Sequence, residues 1–186
     1  MDEDIREGAA YMPGELRFHI CETERGWMGL VFSEHGLRYT TLPLSMREGA
    51  LRQVMELGAD DPMPEKELAD VPERVCALAS GRYENLAVHV DWNGISGFRR
   101  RVLEEAMRIP HGETRSYKWL AEQAGSPRAA RAAGRVMATN PLPIVVPCHR
   151  VIGSDGGLHG YGGGLPMKEA LLRAEGAFWQ GTIRSD

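Results

Sequence analysis

Residues 140–165 constrain the fold more than any other stretch of the chain. Pro141, Pro143 and Pro147 fall within NPLPIVVPCHRVI, and seven glycines follow within the thirteen residues GSDGGLHGYGGGL. Proline fixes φ and removes an N–H donor, so neither a helix nor a central strand runs through the first segment. We read 140–152 as an extended, stiff strut that delivers Cys148 and His149 to a fixed place. The glycines beyond it let a loop backbone approach a ligand closely. Tyr161 and Leu165 imply that this loop folds over something. It holds no GxxxxGK[ST] pattern, which excludes a phosphate-cradling P-loop.

The residues before the strut divide in two. The first half reads as a small α/β unit. Segments 16–21, 27–33 and 37–42 have strand character, and Glu34-His35-Gly36 makes a short hairpin turn between the last two. Met46, Leu51, Val54, Met55 and Leu57 recur at nearly helical spacing over 46–57, and Gly58 ends that helix. Residues 59–64 read as a loop, 72–79 as a helix and 86–92 as a strand. Cys21 and Cys76 lie inside apolar patterns and read as small buried hydrophobes. The pattern breaks at Asn93-Gly94, which divides the chain into 1–93 and 94–186.

Beyond the break the periodicity is helical. Phe98, Val102, Leu103 and Met107 share one face over 98–107, and a short helix spans 117–124. Gly125 ends it, Ser126 is an N-cap, and Pro127 opens a helix over 127–139. Helix, glycine turn and arginine-bearing helix form a helix-turn-helix signature, which bare helical hairpins also carry. The second helix combines Arg128, Arg131 and Arg135 along one flank with Ala129, Ala130, Ala132, Ala133 and Gly134. Such a helix suits docking on a nucleic-acid backbone or groove. The charge agrees: residues 1–97 carry a net −9 and residues 98–150 a net +6, within −4 for the whole chain. A solvated helical face would give the same charge pattern.

No apolar run approaches the length of a membrane span, which takes about 20 residues. The N-terminal MDEDIREGAA lacks the apolar core of a secretion signal. The three cysteines are odd in number and far apart, which fits a reducing compartment rather than a disulfide framework. No CxxC pair or ligand cluster supports a metal site, and no cofactor motif is present. Cys148 beside His149 permits a thiolate–imidazole pair, and equally two neighbours that point apart. A last helix over 166–175 places Glu175 at its C-terminal end, where the helix dipole disfavours a carboxylate. That mismatch implies another partner for Glu175.

PCHRVI, preceded by NP and followed by the glycine-rich loop with its tyrosine and a KEALLRAEG helix, resembles the O6-alkylguanine-DNA alkyltransferase family. The resemblance runs from about Phe98 to Gly176 and includes IPHGETRSY and the Arg-Ala helix. It implies a ribonuclease H-like layout for the first half, as a small antiparallel sheet with helices, and a mainly α helix-turn-helix second half. It implies direct-reversal repair of double-stranded DNA carrying O6-alkylguanine, and of O4-alkylthymine. The base is flipped out and its alkyl group moves irreversibly to Cys148, once per molecule. His149 would activate Cys148 through a water, and Glu175 would orient the imidazole. Asn140 would tie the helix end to the strut, and Tyr117 would protonate the departing guanine. Arg131 would fill the hole in the duplex. Arg128, Arg135, Ala129, Ala130, Gly134 and Ser116 would face the DNA in its minor groove. The backbone of Val151 and of Tyr161–Gly162 would grip the base. The resemblance implies a cytoplasmic monomer, nucleoid-associated in a bacterium, with no metal and no diffusible cofactor. A non-catalytic binder of alkylated bases and a Cys-His hydrolase are the rival readings.

Overall fold

The structure, a computed structural model, describes residues 15–82 and 88–179. Two tight hairpins build its sheet. Strand β1 (Arg17–Thr23) turns through Glu24-Arg25 into β2 (Gly26–Ser33), which turns through Glu34-His35 into β3 (Gly36–Thr40). Gly36 has φ +121°, and a Cβ there would stand 2.2 Å from the His89 carbonyl oxygen, so only glycine fits. Helix α1 (Arg47–Glu56) follows, and then β4 (Asp61–Pro62) lies parallel to β1. The sheet order is β3-β2-β1-β4. It is therefore mixed rather than purely antiparallel, and the loop expected over 59–64 supplies its short edge strand.

Strand β2 is buried on both faces, which accounts for its unbroken apolar run. Met28, Leu30 and Phe32 face the main core, while Val31 faces a second cluster with Leu16, Val54 and Ala59 under α1. The apolar face expected of α1 is only partly used. Ala50 and Val54 are buried, whereas Met46, Met55 and Leu57 are exposed. Helices α2 (Glu65–Leu68) and α3 (Val71–Ala79) complete this half. The strand expected over 86–92 lies partly outside the described residues; Val90 makes one bridge to Leu37.

The second half comprises α4 (Gly97–Met107), β5 (Arg115–Ser116), α5 (Tyr117–Gln123), α6 (Ala130–Ala138), a 3₁₀ turn (Cys148–Arg150), β6 (Val151–Ile152) and α7 (Gly164–Ala174). Helix α6 starts three residues later than the sequence predicts. Ser126 and Pro127 instead form a turn, in which the Ala129 N–H donates to the Ser126 carbonyl at 2.9 Å. Arg128 therefore precedes the helix, and only Arg131 and Arg135 lie on it. The main core runs through both halves, from Cys21, Met28 and Leu30 to Leu103, Leu120, Ala133 and Leu171. Among the described residues no helix is long and apolar enough to cross a membrane.

Two connections place the proline segment. The β3 edge docks on it: the Thr40 N–H donates to the Pro141 carbonyl at 3.0 Å, and Thr40 Oγ1 to the Pro143 carbonyl at 2.7 Å. The parallel pair β5–β6, which the sequence did not predict, then joins the start of α5 to the residues after His149 and Arg150.

Candidate active site

The proline segment is not the extended strut that its sequence suggests. It is a tight turn in which Pro143 bridges Val146 and the Val146 N–H donates to the Leu142 carbonyl at 2.7 Å. Ile144 sits at its apex with φ +76°. A β-branched residue there costs on the order of 1–3 kcal/mol. The surrounding contacts hold it: Ile144 is buried, and Thr40 and Asn140 grip the turn from either side. Asn140 Nδ2 donates to the Val146 carbonyl at 2.9 Å, and its Oδ1 accepts from the Leu142 N–H at 3.0 Å. Prolines thus shape the segment by excluding helix, and hydrogen bonds from Thr40 across the fold and from Asn140 within the segment hold the turn.

Cys148 opens the 3₁₀ turn and is buried. It lines a cavity of about 360 Å³ with Tyr117, Gly134, Met137, Tyr161 and Gly162. Ala138, His159 and Gly160 complete its wall. Burial pushes the Cys148 thiol up, while the neighbouring Asn140 and Tyr161 side chains and the nearby Lys168 ammonium act against that rise. The Tyr161 hydroxyl is buried with no nitrogen or oxygen partner among the described residues, and its neighbour is the Cys148 sulfur. Burial also raises the Tyr117 phenol, which keeps its proton.

Behind the cysteine lies a closed ionic cluster. His149 Nε2 and Glu175 Oε1 are 2.9 Å apart. Arg150 clamps the same carboxylate, Nε to Oε2 and Nη2 to Oε1, both at 2.9 Å. Arg150 Nη1 also donates to the Ile109 carbonyl at 2.7 Å, and the Gly112 N–H reaches Oε2 at 3.4 Å. Burial alone would raise the Glu175 carboxyl, but the hydrogen bonds from His149 and Arg150 outweigh it and hold the group at about 2. An ionised carboxylate only accepts, so His149 carries its hydrogen on Nε2. Burial pushes the imidazole down, against the pull of Glu175, and favours the neutral ring. Nδ1 is then a lone-pair acceptor, buried with no partner among the described residues.

Lys168 is fully buried, and the sequence reading missed it. Its Nζ donates to the carbonyls of Val151 and Leu158, each at 2.6 Å, and lies 5.9 Å from the Tyr117 ring centroid. It ties β6 to the root of the glycine-rich loop. A signal for it was present: Lys168, Leu171, Leu172 and Glu175 have i, i+3, i+4, i+7 spacing, so two charged residues sit on the apolar stripe of α7. Arg150 lay within the PCHR motif but carried no role there. Thr40 had no signal at all.

The remaining predicted residues fall as follows. Val151 is buried, with its N–H on the Cys148 carbonyl and its carbonyl on Lys168, behind the cavity rather than in its wall. Ser116 caps α5, its Oγ accepting from the Trp119 N–H at 3.0 Å. Ala129 and Ala130 are half-buried at the start of α6. Arg128, Arg131 and Arg135 are exposed, with no hydrogen-bonding or ionic partner among the described residues. Among the described residues no group of three or more His, Cys, Asp or Glu side chains could hold a metal ion.

Residues 97–177 match the family model described as 6-O-methylguanine DNA methyltransferase, DNA binding domain. A methylated-DNA–protein-cysteine methyltransferase of Mycobacterium leprae is 40% identical over 147 residues, 78% of this chain and 85% of that one. The chain belongs to the methylated-DNA–protein-cysteine methyltransferase family. A member from Mycolicibacterium paratuberculosis is 50% identical over 107 residues; that match covers 58% of this chain and 64% of the relative, slightly under two thirds of its length. The crystal structure of Mycobacterium tuberculosis OGT in complex with DNA aligns with a TM-score of 0.67 at 35% identity, over 88% of this chain and 93% of that one. This methyltransferase family likeness extends well beyond 97–177 and takes in the sheet that grips the proline turn.

Proposed function

We propose that the protein repairs alkylated DNA by moving the alkyl group of O6-alkylguanine onto its own Cys148. The observation that carries this reading is the cavity. Cys148 lines a space bounded by the half-buried side chains of Tyr117 and Tyr161, and the next residue, His149, is paired with Glu175. His149 Nδ1 accepts the thiol proton through a water. The thiolate attacks the alkyl carbon in line; the S–C bond forms, the C–O6 bond breaks, and that electron pair enters the guanine ring. Tyr117 donates to the ring as charge builds, which lowers the barrier. In the balance the thiol proton ends on guanine and the thioether stays on the protein. No step regenerates the thiol, so each molecule acts once.

The target carbon is buried in stacked duplex, so the base must turn out to reach the cavity. In this reading α5 and α6 form a helix-turn-helix within a DNA-binding and alkyl-acceptor half, residues 94–186, that enters the minor groove. Arg131 occupies the vacated place in the stack, Arg128 and Arg135 meet phosphates, and Gly134 and the alanines allow close approach. The likeness to a protein crystallised with DNA supports that partner. O4-alkylthymine, which carries its alkyl group on the same kind of ring oxygen, is a second substrate in this reading. The first half has a ribonuclease H-like layout, and the protein works as a monomer inside the cell.

The test is stoichiometry. The protein is mixed with excess O6-methylguanine duplex, and the adduct is mapped by mass spectrometry. One methyl per chain, on Cys148, is expected. Repeated turnover would replace this reading with a hydrolase, and tight binding without an adduct would replace it with a binding module.

A further inference from the structure

Away from the cavity, the two other cysteines are brought together. Cys21 lies on β1 and Cys76 on α3, 54 positions apart from Glu22 to Cys76 along the chain and adjacent in space. The Cys76 thiol donates to the Glu22 carbonyl at 3.4 Å, beside Cys21 itself. The two thiols lie in the same packed cluster, close enough for each to shift the other's hold on its proton. Both are free, Cys21 buried and Cys76 half-buried. The sequence reads each as an isolated small hydrophobe; the tertiary structure makes them a pair.

We propose that Cys21 and Cys76 form a dithiol site that hydrogen peroxide closes into a disulfide between β1 and α3. The inference does not depend on alkyl transfer. The two thiols have different parts. Cys76 is the reachable sulfur, and the neighbouring Cys21 thiol draws it toward the thiolate, the nucleophilic form. The Cys76 sulfur beside it and burial push the Cys21 thiol up, so it keeps its proton. Cys76 thiolate attacks one peroxide oxygen; the O–O bond breaks, hydroxide leaves and Cys76 becomes a sulfenic acid. Cys21 sulfur then attacks the Cys76 sulfur. The S–S bond forms, and the hydroxyl group leaves with the Cys21 proton as water. The two thiols lose two electrons together, and these reduce peroxide to water.

The pair also sits at a junction with the active half. Arg25, in the turn after β1, donates from Nε to the Ala79 carbonyl at 2.9 Å and from Nη2 to the Ala170 carbonyl at 3.1 Å. It thereby couples the end of α3 to α7. Gly81 seals the same joint: its φ is +79°, and a Cβ there would stand 2.4 Å from the Ala174 Cβ. A β1–α3 disulfide would therefore brace the seat of the helix that carries Lys168 and leads into Glu175. It would do so without using Cys148, which is buried and whose thiol burial pushes up.

The test uses the full chain with Cys148→Ser, which leaves two of the three cysteines. Thiols are counted in denaturant before and after hydrogen peroxide, and the digest is mapped without reduction. Both thiols should disappear with loss of two hydrogens in mass. A β1 peptide should be linked to an α3 peptide, and dithiothreitol should restore both thiols. Cys76→Ser should abolish the link. The same mapping on the unsubstituted protein should give the same linked peptides, which guards against misfolding of the variant. Two thiols persisting at a peroxide dose that oxidises free cysteine would overturn the proposal. So would Cys76 sulfinic acid with Cys21 free, or linkage of Cys76 only to a second molecule.

Discussion

His149 Nε2 and Glu175 Oε1 stand 2.9 Å apart with both side chains closed off from solvent, and the same carboxylate is clamped by Arg150. Glu175 therefore does two things at once. It fixes the imidazole tautomer beside Cys148, and it neutralises a buried guanidinium that anchors the Ile109 carbonyl.

This double role sets the outcome for Glu175→Gln. An amide cannot balance Arg150, and breaking a buried ion pair costs about 3–5 kcal/mol. The variant should unfold at clearly lower urea than the parent, and its alkyl transfer at neutral pH should be slower. The pH dependence has a definite sign. The Glu175 carboxyl is held at about 2, below its ordinary 4.5, so its contribution is complete above 4.5 and is lost as pH falls through about 2. Urea titrations across that window should show the parent losing stability more steeply than the variant. Parallel curves would assign the acid sensitivity elsewhere.

Lys168 is expected to tune the nucleophile. Burial lowers its ammonium to about 8, and its charge favours the Cys148 thiolate. Lys168→Met should slow transfer at pH 7 on the order of tenfold and move the rate profile to higher pH. Stability gives an independent readout. A folded value below the ordinary 10.5 means that the parent gains stability as pH rises from about 8 to 10.5. The variant should lack that gain. A rate deficit that is the same at every pH would leave Lys168 as a tie between β6 and the glycine-rich loop.

Thr40→Val tests whether the sheet positions the nucleophile. The change removes the Oγ1 bond to the Pro143 carbonyl and keeps the backbone bond to Pro141. Leaving a buried carbonyl unpaired costs about 1–3 kcal/mol. Transfer should slow several-fold while affinity for DNA is unchanged, because the Thr40 hydroxyl bonds only to the turn beyond the end of α6 and not to its exposed arginines. A loss of affinity equal to the loss of rate would refute this positioning role.

Arg131 and Arg128 should separate cleanly. If Arg131 fills the place of the flipped base as proposed, Arg131→Ala should slow repair in duplex much more than transfer from a free base analogue. Arg128 precedes α6, so Arg128→Ala should weaken binding at all sequences and reduce the salt slope by about one. The two effects are read by single-turnover rates and by titration at several salt concentrations.

Methylation of Cys148 should destabilise the protein. The sulfur borders the cavity, but a methyl removes the thiol on which Asn140, Tyr161 and Lys168 act and crowds the side of the sulfur that is packed, a small-to-large change that costs about 1–3 kcal/mol. The melting temperature, measured after reaction and removal of DNA, should fall, and further for larger alkyl groups. An unchanged value would mean that the cavity accepts the product without repacking.

The residues themselves determined a good deal. Hairpin turns, apolar periodicity and the proline and glycine punctuation are properties of contiguous residues, so β2, β3, α1, α3, α4, α5 and α7 were legible in outline. The PCHR context marked Cys148 and His149, and the misplaced charge at Glu175 signalled a partner before any partner was visible. Two local readings failed for local reasons. Ser126-Pro127 can cap a helix or make a turn, and a turn formed. Three prolines exclude a helix but do not choose between an extended strut and a bend.

Tertiary packing contributed to that second choice through Thr40, alongside the local bonds that Asn140 makes within the segment. It also decided every feature that joins residues distant in sequence. Lys168 on Val151, Arg150 on Ile109, β5 beside β6 and Cys21 against Cys76 are such features. A side chain's partner across the fold depends on where the whole backbone passes, and no local pattern of residue types encodes that. The proposed chemistry at Cys148 was legible in a short motif, whereas its protonation, its burial and the walls around it come from groups that meet only when the chain folds.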